Sequence, residues 1–279
     1  MTQPNHPQAA GRTTLGDAAL DAEIRDTAAA LADAARDATL PFFRSAGLAA
    51  DNKDDAGFDP VTQADRAAEE TMRAVLAERR PEDGILGEEF ADRPGTSGLT
   101  WVLDPIDGTR AFLSGTPTWG VLIALSDSDG PVYGVIDQPY TGERWEGGLG
   151  RAQLTGPRST QALRARGARP LDQATLFTTF PEVGTLEERA AFERVSKQAR
   201  LTRYGLDCYA YGLVALGQID LVIEAGLHPY DICAPIAVIE ASGGVVTDWE
   251  GGPAHGGGRV LAAANPEIHA SALSVLNGG

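Results

Sequence analysis

Cysteine is almost missing from this chain: Cys208 and Cys233 are the only two in 279 residues. That excludes a disulfide-stapled scaffold and a thiolate zinc site. Histidine is nearly as scarce, and His6, His228, His255 and His269 include no pair at helical ligand spacing, which argues against zinc on imidazoles. No run of about 18 apolar residues occurs, and the opening MTQPNHPQAAGRTTLG lacks an apolar signal core. The expectation is a cytoplasmic protein with no membrane partner. Bases are outnumbered, 23 Lys plus Arg against 39 Asp plus Glu, for a net charge of -16. Such a field repels phosphate backbones, and the densest basic patch, Arg164, Arg166 and Arg169, has no interleaved aromatics, so no nucleic-acid partner is expected. The patterns GxxxxGK(S/T) and GxGxxG are also absent, so ATP and NAD are not indicated.

What is present is a 43% hydrophobic chain long enough for one large core or two closely packed halves. The acid surplus is uneven: residues 1–140 hold 24 acids and 11 bases, the remainder 15 and 12. A site that wants acids is therefore expected mostly in the first half. Residues 1–18 read as a disordered tail, 19–160 as an N-terminal α+β half and 161–279 as a C-terminal α/β half of one catalytic unit. Helical spacing predicts helices over Asp21–Phe43 and Ala64–Arg79, the latter capped from Pro60–Thr62. Short strands follow at Gly84–Leu86, Leu99–Leu103, Trp119–Leu125, Val132–Ile136 and Arg144–Glu146, with a hairpin turn at Asp127–Gly130. The second half alternates: strands at Thr175–Thr179, Ile219–Ile223, Val245–Thr247 and Val260–Ala263, helices at Leu186–Gln198, Tyr209–Leu216, Asp231–Ala241 and Pro266–Leu276. The class is α/β or α+β.

The strongest chemical signal is WVLDPIDGT, residues 101–109. A hydrophobic strand is expected to stop at Asp104, where Pro105 and Gly108 force a turn that lets Asp104 and Asp107 converge with the Ile106 carbonyl. Carboxylates plus a carbonyl are hard oxygen ligands of the kind Mg²⁺ takes. Capping of the turn by the same aspartates is the plain alternative. The glutamates of GEE, after the strand at Gly84, would by themselves read as a solvated face; next to Asp104, Glu88 is expected as a second arm that shares its metal, with Glu89 as bystander or helper. Asp231 opens an apolar helix, where simple N-capping is the plain alternative; with no cation nearby in the sequence, a metal would relieve its charge. Four such carboxylates can carry two divalent ions about 4 Å apart, the arrangement for in-line hydrolysis of a phosphate monoester. Gly108 and Thr109 would offer N–H groups to an anion, and the Thr109 hydroxyl, with Glu88, could orient the attacking water.

GEE (87–89), DPIDGT (104–109) and YD (230–231) before an apolar helix ending in SGG (242–244) resemble the Mg²⁺-dependent inositol monophosphatase family over about residues 20–276. The resemblance implies the layered α/β/α/β/α sugar-phosphatase fold, a homodimer, and metals held by Glu88, Asp104, Asp107, Asp231 and the Ile106 carbonyl. It further implies a water assisted by Thr109, phosphate on the Gly108 and Thr109 backbone, and Asp65 near a third, weaker Mg²⁺. Arg110 and Ser114 depart mildly from the residues usual after DPIDGT. Asp65 and Lys53 are expected in a mobile lobe hinged at Gly57, with Phe58 its one apolar anchor.

Within that family, GVIDQPYTGERWEGG (134–148), TRYGLDCYAYGLVALGQIDLVIEAGL (202–227) and HPYD (228–231) are similar to the histidinol-phosphatase members, with Tyr-Asp where inositol phosphatases have Trp-Asp. The implied reaction is hydrolysis of L-histidinol phosphate to L-histidinol and phosphate in histidine biosynthesis. Inositol 1-phosphate, fructose 1,6-bisphosphate and 3',5'-bisphosphate nucleotides are the alternatives. A protonated amine on the substrate calls for acids beyond the metal ligands. Glu224, closing an apolar strand, is the expected partner of that amine, Asp207 either assists or caps a helix, and Arg203 either contacts phosphate or makes a salt bridge. Tyr209 and Tyr211, two apart, cannot share a helix face, so at most one is expected to line a pocket.

Overall fold

The computed structural model describes residues 15–46, 50–52 and 60–279. The expected tail as far as residue 14, and the lobe expected around Lys53, Gly57 and Phe58, lie outside the described residues. Helix α1 (Ala18–Thr39) starts where the Asp17 carboxylate accepts the N–H groups of Ala19 and Leu20, and it buries Ile24, Ala28, Leu31 and Ala35 at helical spacing. It stops at Thr39 rather than Phe43, because Pro41 has no N–H to continue the ladder. The strands β1 (Ala50–Asn52) and β2 (Pro60–Thr62) pair antiparallel and lead into α2 (Gln63–Arg79). Thr62 and Asp65 form a reciprocal capping box at its start.

A seven-stranded sheet follows in chain order: β3 (Gly84–Gly87), β4 (Thr100–Asp107), β5 (Gly120–Ser126), β6 (Pro131–Gln138), β7 (Glu143–Gly148), β8 (Arg151–Thr155) and β9 (Thr160–Ala162). Only β3 and β4 are parallel. The six-residue helix α3 (Thr109–Ser114) connects β4 to β5. The chain then builds β10 (Thr175–Thr178), α4 (Leu186–Ser196), β11 (Leu201–Tyr204), α5 (Tyr209–Ala215), β12 (Leu221–Leu227), α6 (Pro229–Ala241), β13 (Val245–Thr247), β14 (Gly258–Ala263) and α7 (Pro266–Leu276). Its five strands form a second sheet in the order β11-β10-β12-β14-β13. Strands β1, β2, β8, β9 and β11 are not among those expected from the sequence; β9 and β11 are sheet edges whose mostly exposed side chains carry no alternation of apolar and polar residues.

These elements stack in five layers. Helices α1 and α2 cover one face of the large sheet, where Trp101, Leu103, Val121, Ile123 and Leu125 meet Leu31, Met72 and Leu76. Its other face presents Val102, Leu122, Ile136 and Trp145 to α5 and α6, which the small sheet covers in turn with Val222, Val260 and Ala262. Helices α4 and α7 close the far side against Leu221, Ile223, Leu261 and Ala263. The result is an α/β/α/β/α sandwich of the expected kind. Helix α6 is apolar all round because it lies between two sheets.

Candidate active site

Strand β4 does not stop at Asp104. It runs on to Asp107, with Asp104 paired to Leu122 and Asp107 to Gly120, so one extra residue is inserted opposite β5. In a regular strand, residues three apart point to opposite faces; the bulge removes that half-period and brings both aspartates to the α6 side. This corrects the expectation of an abrupt end, and it replaces a chance convergence in a turn with a built one. Asp231 arrives from the first turn of α6, where its carboxylate also accepts the His228 N–H at 2.6 Å. One oxygen each of Asp104, Asp107 and Asp231 lie within 4.8 Å of one another. Glu88, just after β3, lines the same cavity, near enough for its charge to raise the Asp104 carboxyl.

Electrostatics give this cluster its character. Burial first, then the charges of Glu88, Asp107 and Asp231, push the Asp104 carboxyl well above the ordinary range. Burial followed by Asp207 and Asp231 does the same to Asp107. Burial raises Asp231 to about 6. So many acids can be ionised together only with compensating positive charge. The donor set is all oxygen, with the Ile106 carbonyl on the same wall, and it fits a divalent hard cation.

A cavity of about 290 Å³ opens over the cluster. Glu88, Asp104, Ile106, Asp107, Asp231, Gly108 and Thr109 line it, together with Asp207, Tyr211 and Glu224. Gly108 stands at φ +82°, and a Cβ there would meet the Asp207 side chain at 2.7 Å, so only glycine serves on both counts. It opens α3, whose start no side chain caps. The Thr109 hydroxyl lies 3.2 Å from the Ile106 carbonyl and 3.4 Å from Asp65 Oδ1. Asp65 is not part of the lobe expected for it: it stands in the first turn of α2, buried behind this wall, its other oxygen taken by the N–H and hydroxyl of Thr62.

The remaining expected residues are placed less evenly. Glu224 Oε1 already accepts the Thr179 N–H and hydroxyl, and Oε2 accepts the Tyr211 hydroxyl at 2.7 Å. Asp207, at φ +46° just before α5, does not cap that helix; it accepts the Thr118 hydroxyl at 3.1 Å. Burial and the charge of Glu224 raise it to about 6. Of the two tyrosines, Tyr211 lines the cavity, whereas Tyr209 donates to Glu143 and stands edge-on to Trp145. Arg203 is exposed on the edge strand β11 and is not among the lining residues. The lining guanidinium is Arg110, 4.8 Å from the ring of Phe180. Neither Phe180 nor the Cys208 N–H, which donates to Asp107 at 2.6 Å, was signalled by any motif.

A bulged strand, a glycine turn and a helix start that together present clustered carboxylates to a small open cavity define a metal-dependent phosphatase of the sugar-phosphatase fold. The Inositol monophosphatase family profile matches residues 21–277, and the chain belongs to that family. It is 41% identical over 259 residues to the chloroplastic bifunctional phosphatase IMPL2 of Arabidopsis thaliana, covering 88% of this chain and 73% of the relative. Over 259 residues it is 37% identical to the histidinol-phosphatase of Mycobacterium tuberculosis, covering 90% and 97%. The solved inositol monophosphatase of Zymomonas mobilis superposes with a TM-score of 0.81 at 41% identity, covering 94% of this chain and 99% of that one. The chain is a phosphomonoesterase acting on a small phosphorylated metabolite. Among the described residues, no helix is long and apolar enough to cross a membrane.

Proposed function

We propose that this phosphatase uses Mg²⁺ to hydrolyse a phosphomonoester whose alcohol part carries a positive charge, and that histidinol phosphate is the substrate. The observation behind this reading is the acid left over in the cavity. After Glu88, Asp104, Asp107 and Asp231 are assigned to metal, Asp207 and Glu224 still face the space where the alcohol part would sit. The three donors on Glu224 leave it little capacity, which makes Asp207 the better-placed partner for an ammonium group. The histidinol-phosphatase named above supports the same choice. A second reading, inositol 1-phosphate, has the family profile and the Zymomonas mobilis structure in its favour, since acids also accept from ring hydroxyls.

Bound divalent ions would supply charge neutralisation at the phosphoryl group and a more acidic water. The chain's own residues do the rest. Glu88, Asp104, Asp107, Asp231 and the Ile106 carbonyl would hold the ions, with Asp65 available to a third. The Gly108 and Thr109 backbone would orient phosphoryl oxygens, and the Thr109 hydroxyl, backed by Asp65, would orient the water. Asp207→Asn tests the substrate choice. It should lower kcat/KM for histidinol phosphate by about 30- to 200-fold, a loss of about 2 to 3 kcal/mol for a charge-assisted contact, and leave glycerol 2-phosphate within a few-fold. Phosphate release from histidinol phosphate, inositol 1-phosphate and glycerol 2-phosphate by both proteins reads it out. Equal losses on all three, or a wild type that prefers inositol 1-phosphate, would sink the histidinol reading.

A further inference from the structure

We infer that Glu69, which no catalytic motif contains, is a positioning residue that sets Glu88 for the metal. The inference rests on the metal-dependent reading above. Glu69 lies one turn beyond Asp65 on α2, and its side chain is completely shielded from solvent. Its Oε2 accepts the backbone N–H of Glu89 at 2.6 Å, and its Oε1 accepts Nε of Arg73 at 2.7 Å. Arg73 in turn donates to the Phe90 carbonyl at 3.1 Å, with its guanidinium 5.8 Å from the Phe90 ring. The segment 87–90 is thus held from one helix face at Glu89 and again at Phe90. Gly87 is part of the same contact: a Cβ there would stand 2.1 Å from Glu69 Oε1. A buried carboxylate spent on a loop N–H fixes the chain direction on the C-terminal side of Glu88, and the missing side chain at Gly87 fixes its approach from the other. Asp65 and Glu69, at i and i+4, tie the third-ion arm and the Glu88 arm to one rigid element.

Groups that orient metal ligands change affinity when altered, typically 10- to 100-fold. Glu69→Gln keeps the shape but turns an amide toward Arg73 or Glu89. Gly87→Ala displaces the Glu69 oxygen without changing any charge. Each is expected to raise the Mg²⁺ dissociation constant of the metal-stripped full chain at least about tenfold by titration calorimetry. Each should also raise the Mg²⁺ concentration for half-maximal phosphate release in step, with kcat at saturating Mg²⁺ within about threefold of wild type. Arg80→Gln is the stability control: it removes a pair with Asp83 at the far end of α2, and should lower Tm while leaving Mg²⁺ affinity alone. A fall in Tm for Glu69→Gln with unchanged Mg²⁺ affinity would reduce Glu69 to a structural role and overturn the inference, as would a loss of kcat that saturating Mg²⁺ leaves in place with affinity unaltered. A wild type that binds no Mg²⁺ would instead overturn the metal site itself, and this inference with it.

Discussion

At the scale of single residues, the cluster is a set of acids that the fold holds at a cost until a cation arrives. Asp207 and Asp231 are each raised to about 6 from an ordinary value of 3.8, chiefly by burial. In the unfolded chain they ionise near 4. Between those values the native state binds more protons than the unfolded one, so their contribution favours folding at low pH and is lost as pH rises through 6. Mg²⁺ relieves the ionised form, and protons compete with it. Thermal unfolding with and without Mg²⁺ should therefore show a larger gain in Tm at pH 8 than at pH 5; an equal gain, or a larger one at pH 5, would contradict the electrostatic account. Most of this cluster could be read from the sequence, because DPID after an apolar strand leaves carboxylates where a core would not tolerate them. Arg110 over Phe180, and the Cys208 N–H on Asp107, could not. Both join residues 70 or more positions apart, and nothing local marks either partner.

Among the elements, α6 explains why two glycines stand in otherwise regular strands. Gly134 of β6 and Gly147 of β7 lie directly under it: a Cβ on Gly134 would meet the Ala234 carbonyl at 2.5 Å, and one on Gly147 the Val238 Cα at 2.4 Å. Backbone against backbone leaves no side chain to yield. Gly147→Ala should cost about 1 to 3 kcal/mol by denaturant unfolding, and because α6 carries Asp231 at its first turn it should also weaken Mg²⁺ binding. A variant as stable as wild type would show that α6 can slide on the sheet, contrary to this packing. Apolar runs and caps made most helices and central strands readable within a few residues. The β4 bulge was not, because it depends on pairing with β5 rather than on the residues of β4. Edge strands β9 and β11 escaped for a related reason: mostly exposed and without alternation of apolar and polar residues, they hold strand form through the neighbour they pair with.

For the whole molecule, the site belongs to neither sheet alone. The large sheet supplies Asp104 and Asp107, α6 brings Asp231, and Asp207 and Glu224 come from the start of α5 and from the small sheet. The basic run at 164–169 does its work here as well: Arg166 and Arg169 pair with the buried Asp220, and the Ala165 N–H and the Arg166 carbonyl bond to Ser242 and Asn265, tying the link between the sheets to the second one. A patch that a sequence shows only as charge is in fact a strap. Hydrolysis by this assembly requires the carboxylates and the cation together, and the most direct test is phosphate release by the metal-stripped protein as Mg²⁺ is restored, for wild type and Asp104→Asn side by side. The account predicts no release in excess chelator, recovery of wild type with Mg²⁺, and a variant that stays folded yet remains slower by on the order of a thousandfold at saturating Mg²⁺. Full activity in chelator, or a near-wild-type rate for Asp104→Asn, would contradict it.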